Sequence, residues 1–189
     1  MKKILLGFLA IITLSFSNVN AQSSVVIQLD GAGPDISGGV HTANLYGGSP
    51  ELVGGIYEVH FIVTNNTGAD EQWRITREKL NVPLTWVDQV CWPPLCYNTT
   101  GNTYTTPNSG GNPAPVIVDG TSTTTNGESA EIKPRITPDQ STASYALYRY
   151  YITNAAGTYV DSVDLEINYA LGVNELKNLS VNVAPNPSS

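Results

Sequence analysis

Apolar residues recur at every second position along most of this chain, and this alternation limits the possible folds more than any other feature. The run from residue 159 to residue 169 shows it most clearly. One face of that run holds Tyr159, Val163, Leu165, Ile167 and Tyr169, and the other holds Val160, Ser162, Asp164, Glu166 and Asn168. A period of two is typical of a β-strand with one buried face. No window carries apolar residues at helical spacing between caps, so the sequence predicts an all-β chain.

Seven such runs are separated by turn-forming clusters of Gly, Asn, Pro and Thr. They span residues 25–29, 56–64, 72–79, 84–90, 128–136, 145–153 and 159–169, with short strands expected at 103–106 and 116–118. Strands at this spacing predict an antiparallel, immunoglobulin-like β-sandwich in which each sheet has one solvated face. The alternation places the aromatic residues Tyr57, Trp73, Tyr159 and Tyr169 in the core.

The first 21 residues have the pattern of a secretory signal peptide. Lys2 and Lys3 precede an apolar run from Ile4 to Phe16, and Val19 and Ala21 supply small residues before a cleavage site at Gln22. A membrane anchor is the alternative, but the apolar run is short for a hydrocarbon core of ~30 Å. The sequence therefore predicts a signal peptide at 1–21, a single sandwich domain at 22–171, and a tail at 172–189.

The charge balance narrows the range of partners. The chain has a formal net charge of −7 and no stripe of basic residues. This composition argues against binding to nucleic acid and to anionic membrane surfaces, and no membrane span is expected in the mature chain. Acidic charge on an exported protein is expected to keep it soluble outside the cell.

Cys91 and Cys96 enclose a tight segment that contains Trp92 and two prolines. In an exported chain, two cysteines this close predict a structural disulfide that fixes the shape of the turn. A redox pair is one alternative, although such pairs normally have two intervening residues at a helix N-terminus. A metal site is another, although further ligands do not cluster nearby in the sequence.

The end of the chain has a strand-like alternation at Leu179, Val181 and Val183, followed by Pro185, Asn186 and Pro187. This segment resembles the opening of the C-terminal sorting domain of cargo exported by the Bacteroidetes type IX secretion system. The resemblance implies that the secretion machinery is a partner and that the protein is secreted or held on the outer cell surface. A linker and one strand cannot bury enough surface to offset the entropy of ordering, so the tail is expected to be disordered.

A second resemblance covers the segment from Val25 to Leu171. It rests on four short sequence segments: Trp-Arg-Ile-Thr-Arg at 73–77, Trp-Val-Asp-Gln-Val-Cys-Trp at 86–92, Cys-Tyr at 96–97 and Tyr-Arg-Tyr-Tyr at 148–151. Together they look like an uncharacterised sandwich domain that recurs in exported Bacteroidetes proteins just ahead of the sorting domain. The resemblance implies the fold, the location and the disulfide, and it implies no activity.

The residues that could perform catalysis are few. His41 is assigned to a loop and His60 to a solvated strand face, and no Ser lies in a nucleophile-elbow motif. Acidic residues such as Glu58 and Glu131 fall on polar strand faces, where solvation is the default. The loop from Asp30 to Asp35 could offer oxygen ligands to Ca²⁺, but it lacks the acid spacing of a calcium loop and is expected to be a Gly-rich turn. The sequence therefore predicts no enzyme, no metal site and no cofactor.

Three aromatic residues near the cysteines form a candidate ligand platform: Trp92, Tyr97 and Tyr104. Exposed, they could stack on an extracellular glycan or contact another protein; the alternative is that Trp92 and Tyr97 fold back over the end of the sandwich. Ser162 lies in an Asp-Ser-Val sequence that looks like the short Bacteroidetes O-glycosylation signal. The leading hypothesis is a non-catalytic secreted or cell-surface protein with an adhesive or structural role. The alternative is a carbohydrate-binding module that uses the exposed aromatics near the disulfide turn.

Overall fold

The computed structural model of the chain describes residues 25–67, 71–93, 95–106, 116–118, 129–154 and 156–171. Its strands are β1 Val25–Leu29, β2 Val40–Tyr46, β3 Leu52–Val53, β4 Ile56–Glu58, β5 Phe61–Asn65, β6 Glu71–Asn81, β7 Val87–Trp92, β8 Leu95–Asn98, β9 Thr103–Thr105, β10 Val116–Val118, β11 Ser129–Thr137, β12 Ser144–Asn154 and β13 Tyr159–Ala170. The predicted signal peptide at 1–21 and the predicted tail at 172–189, with Pro185, Asn186 and Pro187, lie outside the described residues.

The strands form two sheets that pack face to face. The first sheet has the order β1-β5-β11-β4-β3, with β7 paired to β11 and β8 paired to β7. The second has the order β10-β6-β12-β13-β2, with β9 paired to β6. The predicted immunoglobulin-like β-sandwich is confirmed, and one strand pair departs from the expected antiparallel pattern: β2 runs parallel to β13, from Val40 beside Asp164 to Tyr46 beside Ala170.

The core lies between the two sheets and is built largely of aromatic and β-branched residues. Trp73, Trp86, Tyr148 and Tyr150 are among its largest fully buried side chains. Each such ring removes on the order of 150–250 Å² from water, so the aromatics dominate the packing. The predicted core positions Tyr57, Trp73 and Tyr169 are confirmed as buried.

The predicted strand at 56–64 is in fact two strands, because its partner β11 contains a proline. β4 pairs with Arg135 and Ile136, and β5 pairs with β11 from Ser129 to Ile132. Between these pairings lies Pro134, which has no N–H to donate to the ladder. Its carbonyl still accepts a hydrogen bond from the Val59 N–H at 3.3 Å, so the two short strands remain aligned along one edge of β11.

The prediction that Tyr159 is a core residue is wrong, because the pairing of β12 with β13 contains an irregularity. The register shifts between Ile152 and Thr153, and a bulge of this kind changes the face to which the following side chains point. Tyr159 is 53% exposed, and Val160 packs against the core in its place. The Tyr159 ring stacks on Tyr151 with 4.1 Å between centroids.

A strand that the sequence pattern did not predict lies at β2. His41, assigned to a loop, is on this strand, with Ala43 and Leu45 facing the core. Only two inward positions are apolar, and the outward positions include Val40 and Tyr46, so the alternation of polarity is weak. This strand forms one end of the second sheet and one wall of the cleft described below.

Candidate functional site

The two cysteines lie directly opposite each other on the hairpin formed by β7 and β8, and a disulfide joins them. Their Cα atoms are 3.8 Å apart. Cys91 is buried and Cys96 is exposed, so the bridge crosses from the sheet to the solvent-facing edge of the hairpin.

The aromatic residues beside the disulfide do not form an exposed platform. Trp92 is 2% exposed and Tyr97 is 9% exposed, and Tyr104 is partly buried and packs against the core. The indole N–H of Trp92 donates to the Trp73 carbonyl at 3.2 Å, which ties the hairpin to the opposite sheet. Burial raises the pKa values of the Tyr97 and Tyr104 hydroxyls. These rings serve the packing of the sandwich, as the alternative interpretation held.

A buried network of charges connects the two sheets. Asp88 on β7 lies 2.8 Å from Arg77 Nε and 2.7 Å from Lys79 Nζ, both on β6. Arg77 also donates to the carbonyls of Gly101 and Asn102 at 3.0 and 3.1 Å. The Thr99 hydroxyl donates to Asp88 Oδ2 at 2.5 Å. Because Arg77 and Asp88 are almost completely buried, this network has a structural rather than a ligand-binding geometry.

The sequence carries a signal for this network that the predictions above did not use. Arg77 lies two residues after Ile75 and four after Trp73, both of which alternate inward. A cation at the next inward position requires a buried partner. Identifying that partner as Asp88 requires knowing that β7 lies opposite β6 across the core.

The outer face of the first sheet carries a row of paired charges. Arg135 Nε lies 2.6 Å from Glu58 Oε1, and its Nη1 donates to Gln89 at 2.9 Å. His60 Nδ1 contacts the carboxylate of Glu131, and it lies on the solvated face that the alternation predicts. A depression of about 370 Å³ beside them includes Glu58, His60 and Arg135 among its lining residues. In this row Arg135 on β11 faces the opposite charge of Glu58 on the neighbouring strand β4, which is the arrangement expected of a stabilising surface network.

In the Gly-rich loop, the side chain of Asp35 is hydrogen-bonded to β1 and to the loop backbone. Asp35 Oδ1 accepts hydrogen bonds from the Ile27 N–H at 3.1 Å, the Ser37 N–H at 2.9 Å and the Ser37 hydroxyl at 2.6 Å. Burial acts to raise the pKa of Asp35, and the hydrogen bonds from Ser37 and Ile27 outweigh it, so the pKa is lowered. Among the described residues no group of three or more His, Cys, Asp or Glu side chains could hold a metal ion.

A shallow cleft of about 600 Å³ lies on the outer face of the second sheet, where β2, β13 and β12 run side by side. Tyr46 stands on β2 beside Ala170, and Tyr145 stands on β12 opposite Asn168. Asn168 lies on β13, and Asn44 of β2 lies beside it. The two tyrosine residues are 43% and 39% exposed. The cleft therefore combines apolar ring faces with amide groups, which is a composition suited to binding a small polar molecule.

The remaining predicted residue, Ser162, lies on β13 directly opposite Tyr151 and is partly exposed. Its backbone N–H donates to the Asp161 side chain at 2.7 Å. O-glycosylation at this hydroxyl stays a prediction.

The chain is similar to several solved structures, with TM-scores below 0.5. The N-terminal domain of PorA aligns with a TM-score of 0.47 at 14% identity, over 77% of this chain and 96% of that one. The SrpA adhesin of Streptococcus sanguinis aligns at 0.38 and 15% identity, over 82% and 61% of the two chains. The CooA pilin subunit of enterotoxigenic Escherichia coli aligns at 0.37 and 11% identity, over 78% and 99%. These similarities concern the sandwich layout alone.

Comparison with protein-family models finds no match, and comparison with curated proteins finds none either. Within the described part of the chain, no helix is long and apolar enough to cross a membrane.

Proposed function

We propose that this chain is a non-catalytic β-sandwich exported to the cell surface or the medium, where it has an adhesive or structural role. The observation that carries the proposal is the Cys91–Cys96 disulfide. Disulfides persist in oxidising compartments and are rare in the reducing cytosol. The signal-peptide pattern at 1–21 supports the same location.

Export through a type IX route is part of this proposal. It is supported by the resemblance of the segment around Pro185, Asn186 and Pro187 to the opening of a sorting domain. The non-catalytic assignment is supported by the way ionisable groups are used: Arg77, Asp88 and Arg135 are all engaged in ion pairs that stabilise the sandwich. A carbohydrate-binding platform at Trp92 and Tyr97 is not proposed, since both rings are buried.

The test is a localisation experiment in a bacterium that has type IX secretion. The full reading frame would carry an internal epitope tag between Ala156 and Gly157, two exposed residues in the turn that joins β12 to β13. We expect tagged protein in the medium or on intact cells, where added protease removes it. Deletion of residues 1–21 should retain the protein inside the cell. Protein that stays in the cytosol with its signal sequence intact would contradict the proposal.

A further inference from the structure

The walls of the cleft on the second sheet are two tyrosines that the fold leaves uncovered. Tyr46 and Tyr145 both expose a large part of their rings. Most other tyrosines of β12 and β13 are buried or stacked: Tyr148 and Tyr150 are in the core, and Tyr151 stacks on Tyr159. An exposed aromatic ring offers a flat apolar surface at low entropic cost on binding. Two of them on flanking strands define a site with two apolar sides.

The floor between these walls is low. Along β13 the outward residues between the tyrosines are Ala170 and Asn168. Neighbouring strands are ~4.8 Å apart, so β2 and β12 are separated by ~10 Å across β13. Because Ala170 is short, this separation leaves an open volume of about 600 Å³ above the sheet. That volume lies within the range of ~300–1,000 Å³ typical of small-molecule sites.

The polar groups of the floor are held in a fixed arrangement. Asn168 Nδ2 donates to Asn44 Oδ1 at 3.2 Å and to Glu166 Oε1 at 3.3 Å. In these hydrogen bonds the Asn168 side-chain N–H groups donate, and the Asn44 side-chain oxygen accepts. Among the described residues, the Asn168 carbonyl oxygen and the Asn44 amide N–H groups are left without a partner, so the floor presents one acceptor beside donors.

Adjacent donor and acceptor groups between apolar ring faces match the chemistry of a sugar. Each sugar hydroxyl can donate one hydrogen bond and accept others, and the C–H faces of the sugar ring are apolar. None of the described residues that line this cleft is charged, and the nearest charge beside its floor is the carboxylate of Glu166, which accepts a hydrogen bond from Asn168. The chain as a whole has a net charge of −7. An anionic ligand would be repelled and would find no cation to pair with.

We propose that the cleft between Tyr46 and Tyr145 binds a neutral sugar residue of an extracellular glycan. The tyrosine rings contact the apolar faces of the sugar. Asn168 accepts a hydrogen bond from one hydroxyl, and Asn44 donates to a neighbouring one. This inference rests on the proposed surface role and specifies the class of ligand that such a protein would contact.

The experiment is a binding screen with the purified, oxidised mature chain. The probes are neutral oligosaccharides of glucose, mannose, galactose and xylose, with sulfated chondroitin fragments as the anionic comparison. We expect binding to at least one neutral series and none to the sulfated one. Affinity for the bound probe, measured by calorimetry, should fall about two- to twelvefold in Tyr46→Ala and in Tyr145→Ala, since aromatic contacts are worth ~0.5–1.5 kcal/mol and ~1.4 kcal/mol corresponds to a factor of ten.

Two further variants separate a local effect from general damage. Asn168→Ala removes the acceptor and should also weaken binding. Tyr159→Ala removes an exposed ring of similar size on β13, outside the cleft, and should leave the affinity unchanged. Each variant would be checked by its unfolding midpoint before binding is compared.

Several results would overturn the inference. A folded, oxidised protein that binds no neutral oligosaccharide would do so, as would binding that survives both tyrosine substitutions or binding that favours the sulfated probe. These failures leave the proposed surface role standing, because that role is tested by location. Retention in the cytosol would sink the proposed function whatever the screen shows.

Discussion

Asp88 is the residue that joins the two sheets through charge. It sits in the apolar strand β7 and accepts contacts from Arg77, Lys79 and Thr99. Asp88→Asn would leave the buried Arg77 cation without a carboxylate. Removing one partner of a buried pair costs about 3–5 kcal/mol, and we expect a loss of that size in the free energy of unfolding, measured in urea.

A matched control for this prediction lies on the surface. Glu58→Gln breaks the ion pair with Arg135, whose two members are about one-third exposed. Partly exposed pairs contribute ~0–1 kcal/mol, so this variant should be close to wild type. Equal losses in the two variants would mean that Asp88 does not act as a buried partner.

We expect His41 to make stability depend on pH. Burial lowers its pKa, and the charge of Asp30 opposes that effect. Its Nε2 lies 3.3 Å from the Tyr57 hydroxyl, whose own pKa is raised to about 12 by burial and by Glu51 and Asp30. The unfolded chain therefore binds a proton at this residue at a higher pH than the folded chain does. Stability from this group is present above pH ~6.5 and is lost as the pH falls towards the folded-state pKa.

The corresponding measurement compares unfolding midpoints at pH 7.5 and pH 5.5. Wild type should lose stability between these values, and His41→Asn should lose less. A pH dependence that is the same in both proteins would assign the effect to other groups.

The hairpin of β7 and β8 is stabilised in two independent ways, within itself by the disulfide and against the opposite sheet by Trp92. The disulfide closes a small loop and is worth about 2 kcal/mol by loop-closure entropy. The Trp92 indole holds the hairpin to Trp73 separately. Reduction of the native protein should therefore lower the free energy of unfolding by about 2 kcal/mol while Trp92 stays buried. Tryptophan emission and its quenching by acrylamide test this, and a red-shifted, readily quenched spectrum after reduction would contradict it.

The elements also mark where sequence reasoning works and where it stops. Strict alternation in β11 and in most of β13 predicted their buried faces, because one side of each strand is set by local sequence. The break between β4 and β5 depends on Pro134 of another strand. The exposure of Tyr159 depends on a bulge opposite Ile152 and Thr153. The local sequence of the affected strand carries no signal for either feature.

The same limit applies to the candidate site. Tyr46 and Tyr145 are far apart in the chain. They line the same cleft because β2 and β12 both flank β13. The parallel pairing of β2 with β13 joins residues more than a hundred positions apart. Such non-local pairing has no local signal, and the aromatics that were easy to notice, Trp92 and Tyr97, proved to be buried.

The whole molecule combines three features: a buried network of charges between the sheets, a hairpin closed by a disulfide, and an open cleft on the second sheet. We propose that this molecule works outside the cytosol. Its location can be tested by intact-mass analysis of the protein recovered from its host after maleimide labelling without reductant. We predict a chain that begins at Gln22 with both cysteines unlabelled. A chain that retains residues 1–21, with Cys91 and Cys96 both labelled, would show that the protein stays in the cytosol.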